Sequence, residues 1–385
     1  QTTDAPTRGQ IHGSDLMTKV LCVFTRILGW NVFGGYVEEA LLRRATSEYC
    51  FVNFGGKEIY SIPVPKFAKL SNDVDSFWRI KRYISRKQIN IQDYGAYIFV
   101  SHQLAVPFFR SMGAKPLVLV MDTTPILANI GNRRTESTTR WLIKQCFVRP
   151  LNFFVYRPLF KRVSAFLVLF QKVKTSLMQD YGVPGQNISI IHPPIYHLAS
   201  GAAERKPILG RKTGPRMLFI GNDFARKGGY FLLDLFAKFF AGKVELVVVS
   251  NDQSLKDESL PPGVIRLRDI PHDEILYLYE ECDLFLFPTW KDELGLVCSE
   301  AILKGLPIIA RDANAQDEFV KDGYNGFLMP YASDDAAWVE AINKILYDEA
   351  LRTTFSRNSR ILAEKMLRLD TFDAAMAEQL DRFNI

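Results

Sequence analysis

The sequence predicts two α/β domains, each a parallel sheet covered by helices on both faces. Three observations point there. Short apolar runs rich in Val, Ile, Leu and Phe alternate with amphipathic stretches, the pattern of strands buried on both sides. The alternation occurs twice, once on each side of a stretch of small and charged residues. The chain has 385 residues, 48% of them apolar, more than one ordinary core accommodates.

The runs of the first half are KVLCVFTRIL, EYCFVNF, AYIFVS, PLVLVM, SAFLVLF and ISIIHPP. Those of the second are RMLFIG, VELVVVS, VIRLRD, CDLFLFP, LPIIA and NGFLM. Between them SGAAERKPILGRKTGP, Ser200 to Pro215, has the composition of an interdomain linker, with a boundary near Lys206. The last stretch, from Arg352, has a helical pattern with a break in RLDTF, Arg368 to Phe372. Residues 1–16 are polar, lack an apolar signal core, and are expected to be a flexible tail.

A net charge of +6 suits an anionic ligand or membrane surface better than a nucleic-acid backbone, and no arginine-rich arm is present. The five cysteines are odd in number, scattered and without metal-binding spacing, which fits a reducing, cytoplasmic setting. No run approaches the roughly 20 apolar residues of a membrane span.

Two doubly wound domains create a cleft at the carboxyl ends of their strands, so the strand-to-helix turns carry the chemistry. In KDELGLVCSEAILKGLP, Lys291 to Pro307, a glycine opens a helix directly after a strand and loop. Backbone N–H groups of Gly295, Leu296 and Val297, next to Leu294, would face a diphosphate, helped by the helix dipole. Glu300, one turn in, suits the vicinal hydroxyls of a ribose. Asp292 or Glu293 would hold a sugar on the other side. Taken alone, acids at a helix start are more simply capping groups. LFIGNDFARKGG, Leu218 to Gly229, brings Arg226 and Lys227 to the first turn of the second domain, where they would neutralise a diphosphate. The competing reading is a solvated basic helix start.

Taken together and in this order, GNDFARKGG, CDLFLFPTWKDELGLVCSEA and GLPIIARDANAQDEFVKDGYNGFL resemble the donor domain of family 4 retaining glycosyltransferases, group 1 type, of the GT-B fold. The resemblance covers roughly Met217 to Phe327, and IPHDEILYLYEECDLFLFP adds the loop that lies by the nucleotide base in that family. It implies two Rossmann-like domains: 17–205 for the acceptor, 206–367 for the nucleotide-sugar, with 368–385 packing back on the first. Two positions depart from the pattern. Asp292 stands where the family has its first glutamate. Asn222 stands where it has a diphosphate-binding arginine, for which Arg226 is the candidate substitute.

The first half resembles the family more loosely. Gly34 and Gly35 in WNVFGGYVEEALLRRA are like its glycine-rich donor loop, although a double glycine also suits an ordinary tight turn. Asp122 in MDTTP occupies a position where some members carry an aspartate, implying a hydrogen-bond acceptor for donor sugar or acceptor; an N-cap is an equal alternative. With Lys227, Asp292 and Glu300 it makes up the candidate catalytic set. His102, at another strand end, is a candidate acceptor or sugar contact, with a structural role the stronger reading. Asp73 and Asp75 in SNDVDSFW open an amphipathic stretch instead of ending a strand, so no metal and no cofactor beyond the donor substrate is expected. Finally, Arg140 to Arg162 interleaves basic and aromatic side chains as a segment lying on an anionic bilayer does, with Pro150 and Pro158 interrupting it; a packed helical pair fits equally.

The resemblance therefore implies sugar transfer, with retention, from a nucleoside diphosphate sugar (UDP- or GDP-linked) to a hydroxyl of a glycan or lipid-linked acceptor. The alternatives are a nucleotide-sugar 2-epimerase of the same architecture and a catalytically silent glycan- or lipid-binding partner.

Overall fold

The computed structural model describes residues 17–25, 29–44, 46–55, 61–65, 72–128, 142, 146, 149–196, 198, 207–212, 214–292, 294–313 and 316–385. The expected tail and residues 200–206 of the linker lie outside them. Strands β1 (Thr18–Thr25), β2 (Ser47–Phe54), β3 (Ala96–Val100), β4 (Leu117–Met121), β5 (Ala165–Val168) and β6 (Ile188–Ile190) form one sheet, in the order β2-β1-β3-β4-β5-β6. Strands β7 (Arg216–Ile220), β8 (Glu245–Val249), β9 (Val264–Leu267), β10 (Leu284–Phe287), β11 (Ile308–Arg311) and β12 (Gly326–Met329) form the second, in the order β12-β11-β10-β7-β8-β9. Every pairing is parallel. All residues of β3, β4, β7 and β10 are buried, because helices cover both faces; that is why each appears in the sequence as an unbroken apolar run.

The strand order reverses between β1 and β3 in the first sheet and between β7 and β10 in the second. A reversal sends the two connecting helices to opposite faces, leaving a crevice beyond the carboxyl ends of the strands. The loops after β7 and β10 are GNDFARKGG and PTWKDELG.

Helix Glu349–Met366 ends at Leu367, and helix Leu369–Leu380 carries the chain back across the first sheet. There Phe372 meets Phe33 edge-on, Arg43 pairs with Asp373 at 2.8 Å, and Gln379 Nε2 donates to Ser189 Oγ at 3.0 Å. A second junction between the halves is polar. Glu318 accepts the Gln171 N–H and the His192 imidazole, each at 3.1 Å, while Lys172 pairs with Asp312 at 2.9 Å and Asp317 at 3.3 Å. Burial raises the Glu318 carboxyl, but its bonds to His192 and Gln171 outweigh that and leave it below the ordinary glutamate value. All five cysteines are free thiols. No described helix is long and apolar enough to cross a membrane.

Two expectations need correction. Gly34 and Gly35 do not form a loop: helix Gly29–Arg44 begins ahead of them, and both lie in its second turn. Pro158 does not interrupt the basic segment. It is exposed inside helix Arg149–Arg162, where its ring faces solvent and the helix forgoes one backbone hydrogen bond. Most of 140–148 is outside the described residues. Asp75 belongs to helix Asn72–Arg86 and pairs with Arg79 one turn on, at 2.6 Å.

Candidate active site

The switch point of the second sheet gathers the residues singled out there. Gly228 has φ +79°, and a Cβ on it would sit 2.2 Å from the Pro288 carbonyl oxygen. Only glycine lets the β7 loop close this tightly on the end of β10. The closure places Lys227 Nζ 2.8 Å from Asp292 Oδ2, with both side chains about 85% buried and the ammonium 4.9 Å over the Phe287 ring. Arg226 ties the loops together at the rim. Its Nε donates to Asp223 at 2.7 Å, one terminal nitrogen donates to the Lys291 carbonyl at 2.6 Å, and Asp292 lies 3.9 Å away. Two cations thus converge on the carboxylate that opens the next helix.

Gly295 caps helix Leu296–Leu303 in the left-handed conformation, φ +58°. The first intrahelical bonds run from Cys298 and Ser299 to its carbonyl, so by position Leu296 and Val297 present their N–H groups outward, as an anion site requires. Glu293 is outside the described residues, and half-buried Leu294 packs against the core. Asn222 is exposed, and its Oδ1 accepts the Asn251 N–H at 3.0 Å, bracing the β7 loop against the loop after β8.

Glu300 is gripped on both oxygens. Tyr279 donates to Oε2 at 3.0 Å and His272 Nε2 bonds Oε1 at 2.8 Å. Its charge is felt in the first half: the Tyr36 hydroxyl on helix Gly29–Arg44 is raised in pKa first by burial and then by the Glu300 charge. Beside it Gly35 leaves open space, with nothing within 4 Å of an added Cβ.

Asp122 lies at the carboxyl end of β4, 7% exposed, and accepts Trp30 Nε1–H at 3.1 Å. Thr124 caps the following helix, its Oγ1 accepting the Leu127 N–H at 3.2 Å. His102 is a core residue, not a cleft contact. It is 3% exposed, its ring edge-on to Tyr156 at 4.9 Å and to Phe160 at 6.1 Å, and burial holds its pKa down to about 3, so it stays neutral.

Sequence reasoning missed four participants. His272 bonds Glu300 from another helix, Tyr36 feels its charge from the first half, and Trp30 reaches Asp122 across 92 residues. Arg311, wholly buried, lies 3.8 Å over the Trp290 ring and donates to the Pro288 and Tyr331 carbonyls, holding the Pro288–Asp292 loop from beneath. Only long-range packing reveals these pairs. A depression of 680 Å³ opens at the amino ends of β10 and β11, lined by Lys304, Arg352 and Arg360. Its cations already bond Glu280 and backbone carbonyls, and ligands of such sheets bind at the opposite end.

Two six-stranded parallel sheets, each with a switch point at the carboxyl ends of its strands, make up the GT-B fold. Residues 202–361 match the model of the family described as glycosyl transferases group 1, so this part of the chain is similar to that family. The chain is 21% identical over 255 residues to alpha-D-kanosaminyltransferase of Streptomyces kanamyceticus, a match covering 61% of this chain and 64% of that protein. It is 23% identical to lipopolysaccharide glucosyltransferase WaaG of Escherichia coli (strain K12), over 51% of this chain and 57% of WaaG. These matches span about three fifths of either relative's length. Among solved structures, sucrose-phosphate synthase from Thermosynechococcus elongatus superposes with a TM-score of 0.71 at 16% identity, covering 95% of this chain and 98% of that one. Anabaena HepE in complex with UDP-glucose gives 0.67 at 18%, covering 95% and 100%. At these identities the structural likeness establishes the fold.

Proposed function

We propose that the protein transfers a sugar, with retention, from a UDP- or GDP-sugar to a hydroxyl of a glycan or lipid-linked acceptor in polysaccharide or glycolipid synthesis. The observation that carries this reading is the row Lys227, Asp292, Gly295, Glu300 along the carboxyl ends of β7 and β10. In it Glu300 takes the ribose, and the N–H groups after Gly295, with Lys227 and Arg226, take the diphosphate. Asp292 turns to the sugar when the phosphates draw Lys227 away. Arg226 then supplies the charge that Asn222 lacks. Residues 17–205 serve the acceptor and 206–367 the donor.

The anomeric carbon loses its bond to the phosphate oxygen and gains one to the acceptor oxygen on the same face, and the acceptor proton passes to the departing phosphate. The protein's share is electrostatic: cations and N–H groups already aimed where charge develops. Side chains supply the charge neutralisation. Asp122, held by Trp30, accepts a hydrogen bond from the sugar or acceptor. Closure of the halves excludes water.

The similarity to WaaG, a lipopolysaccharide glucosyltransferase, supports a lipid-linked acceptor. So does helix Arg149–Arg162, which exposes Leu151, Phe154 and Val155 beside Arg157 and Lys161. We place the protein in the cytoplasm, with this helix against an anionic membrane face. Incubating the protein with UDP- and GDP-sugars and lipid-linked acceptors, and scoring nucleoside diphosphate release, tests the activity. Acceptor-dependent release from at least one donor supports it. Epimerised donor without release, or binding without turnover, favours the two alternatives.

A further inference from the structure

Glu300 is engaged before any ligand arrives. A carboxylate offers about four lone-pair positions. Tyr279 takes one on Oε2 and His272 one on Oε1, which leaves two, the number that a vicinal diol uses. The two partners differ. Tyr279 is buried, with its hydroxyl also 3.1 Å from the Val297 carbonyl, so it is fixed by the fold. His272 is the first residue of helix His272–Glu281, with its side chain 61% exposed.

We propose that His272 is a positioning residue of the nucleoside site: it fixes the Glu300 carboxylate for the ribose hydroxyls and makes donor affinity depend on the protonation of its imidazole. This rests on Glu300 being the ribose acceptor. The charged groups around the imidazole are Glu300 on the facing helix and Asp273 on its own. Tyr279 and Tyr36 complete the cluster through Glu300. The hydrogen bond to Glu300 raises the His272 pKa above its ordinary value, against the opposing effect of burial. The protonated ring is therefore the stronger clamp, since charge-assisted bonds exceed neutral ones. That clamp is complete below the ordinary histidine value and weakens as pH rises through the raised one.

The test is calorimetric titration of the full chain with UDP and GDP between pH 5.5 and 8.5, for wild type, His272→Ala, His272→Gln and Glu300→Gln. Wild-type affinity for the bound nucleotide should fall with rising pH. His272→Ala should bind about tenfold more weakly at the acid end, with the gap closing at the alkaline end. His272→Gln, whose amide also donates, should regain most of the affinity with a flat profile. In turnover the alanine variant should raise the donor KM and leave kcat unchanged, the mark of a lost ground-state contact. His272→Ala with wild-type affinity and the wild-type pH profile overturns the proposal. If Glu300→Gln alone loses binding, the ribose reading stands and only the role of His272 fails. If Glu300→Gln binds normally, or wild type binds neither nucleotide, the ribose reading falls and this inference with it.

Discussion

Lys227 has two partners in this account, Asp292 in the ligand-free protein and the diphosphate during turnover, and replacing it by methionine separates them. The pair is 2.8 Å long with each side chain about 85% buried. Exposed pairs contribute up to about 1 kcal/mol, whereas breaking a fully buried one costs about 3–5. Lys227→Met, which removes the cation 2.8 Å from Asp292 and leaves Arg226 at 3.9 Å, should therefore cost about 2 kcal/mol. Adding Asp292→Asn removes the stranded charge, and the double variant should recover most of that loss in denaturant or thermal unfolding. Activity should not recover, because removing one preorganised electrostatic donor costs about 10²–10³ in kcat and the amide does not replace a cation. Strictly additive stability losses would show that the two groups are uncoupled. Activity restored in the double variant would refute the assignment of Lys227 to the leaving diphosphate.

Gly228→Ala must displace either the β7 loop or Pro288, since the new methyl would lie 2.2 Å from a carbonyl oxygen at a positive φ. We expect a loss of about 2 kcal/mol or more and weakened nucleotide binding, read by thermal unfolding with and without UDP or GDP. Glu318→Gln tests the polar junction. Because the folded pKa of Glu318 lies below its ordinary value, its contribution is present above that ordinary value and lost as pH falls through the folded one. The Tm of the variant should therefore fall below wild type near neutrality and converge with it in acid. Trp30→Phe removes the indole donor from buried Asp122; it should cost about 1–2 kcal/mol and lower kcat more than it alters donor binding, seen by unfolding and steady-state kinetics.

The central strands β3, β4, β7 and β10 were legible because parallel strands covered on both faces leave a local signature, an apolar run without alternation. The glycine-basic loop and the Asp292–Glu300 stretch were legible because a strand-to-helix turn that meets a phosphate is built from consecutive residues. Partners joined by packing were not. His272 reaches Glu300 across 28 residues, and Trp30 reaches Asp122 from another strand's helix. His102 shows the opposite limit: a strand-end histidine looks the same in sequence whether it faces a cleft or two aromatic rings. Helix Gly29–Arg44 begins earlier than its double glycine suggests, because glycine inside a helix costs only about 1 kcal/mol per residue, a penalty that packing overrides.

The central claim is that the turn joining β10 to helix Leu296–Leu303 holds the donor. A crystal structure of the protein with bound UDP or GDP addresses it directly. Phosphate oxygens should lie about 3 Å from Lys227 Nζ and from the N–H groups of Leu296 and Val297, with both ribose hydroxyls on Glu300. Nucleotide at the opposite end of the sheet, among Lys304, Arg352 and Arg360, with the Lys227–Asp292 pair intact, would contradict it.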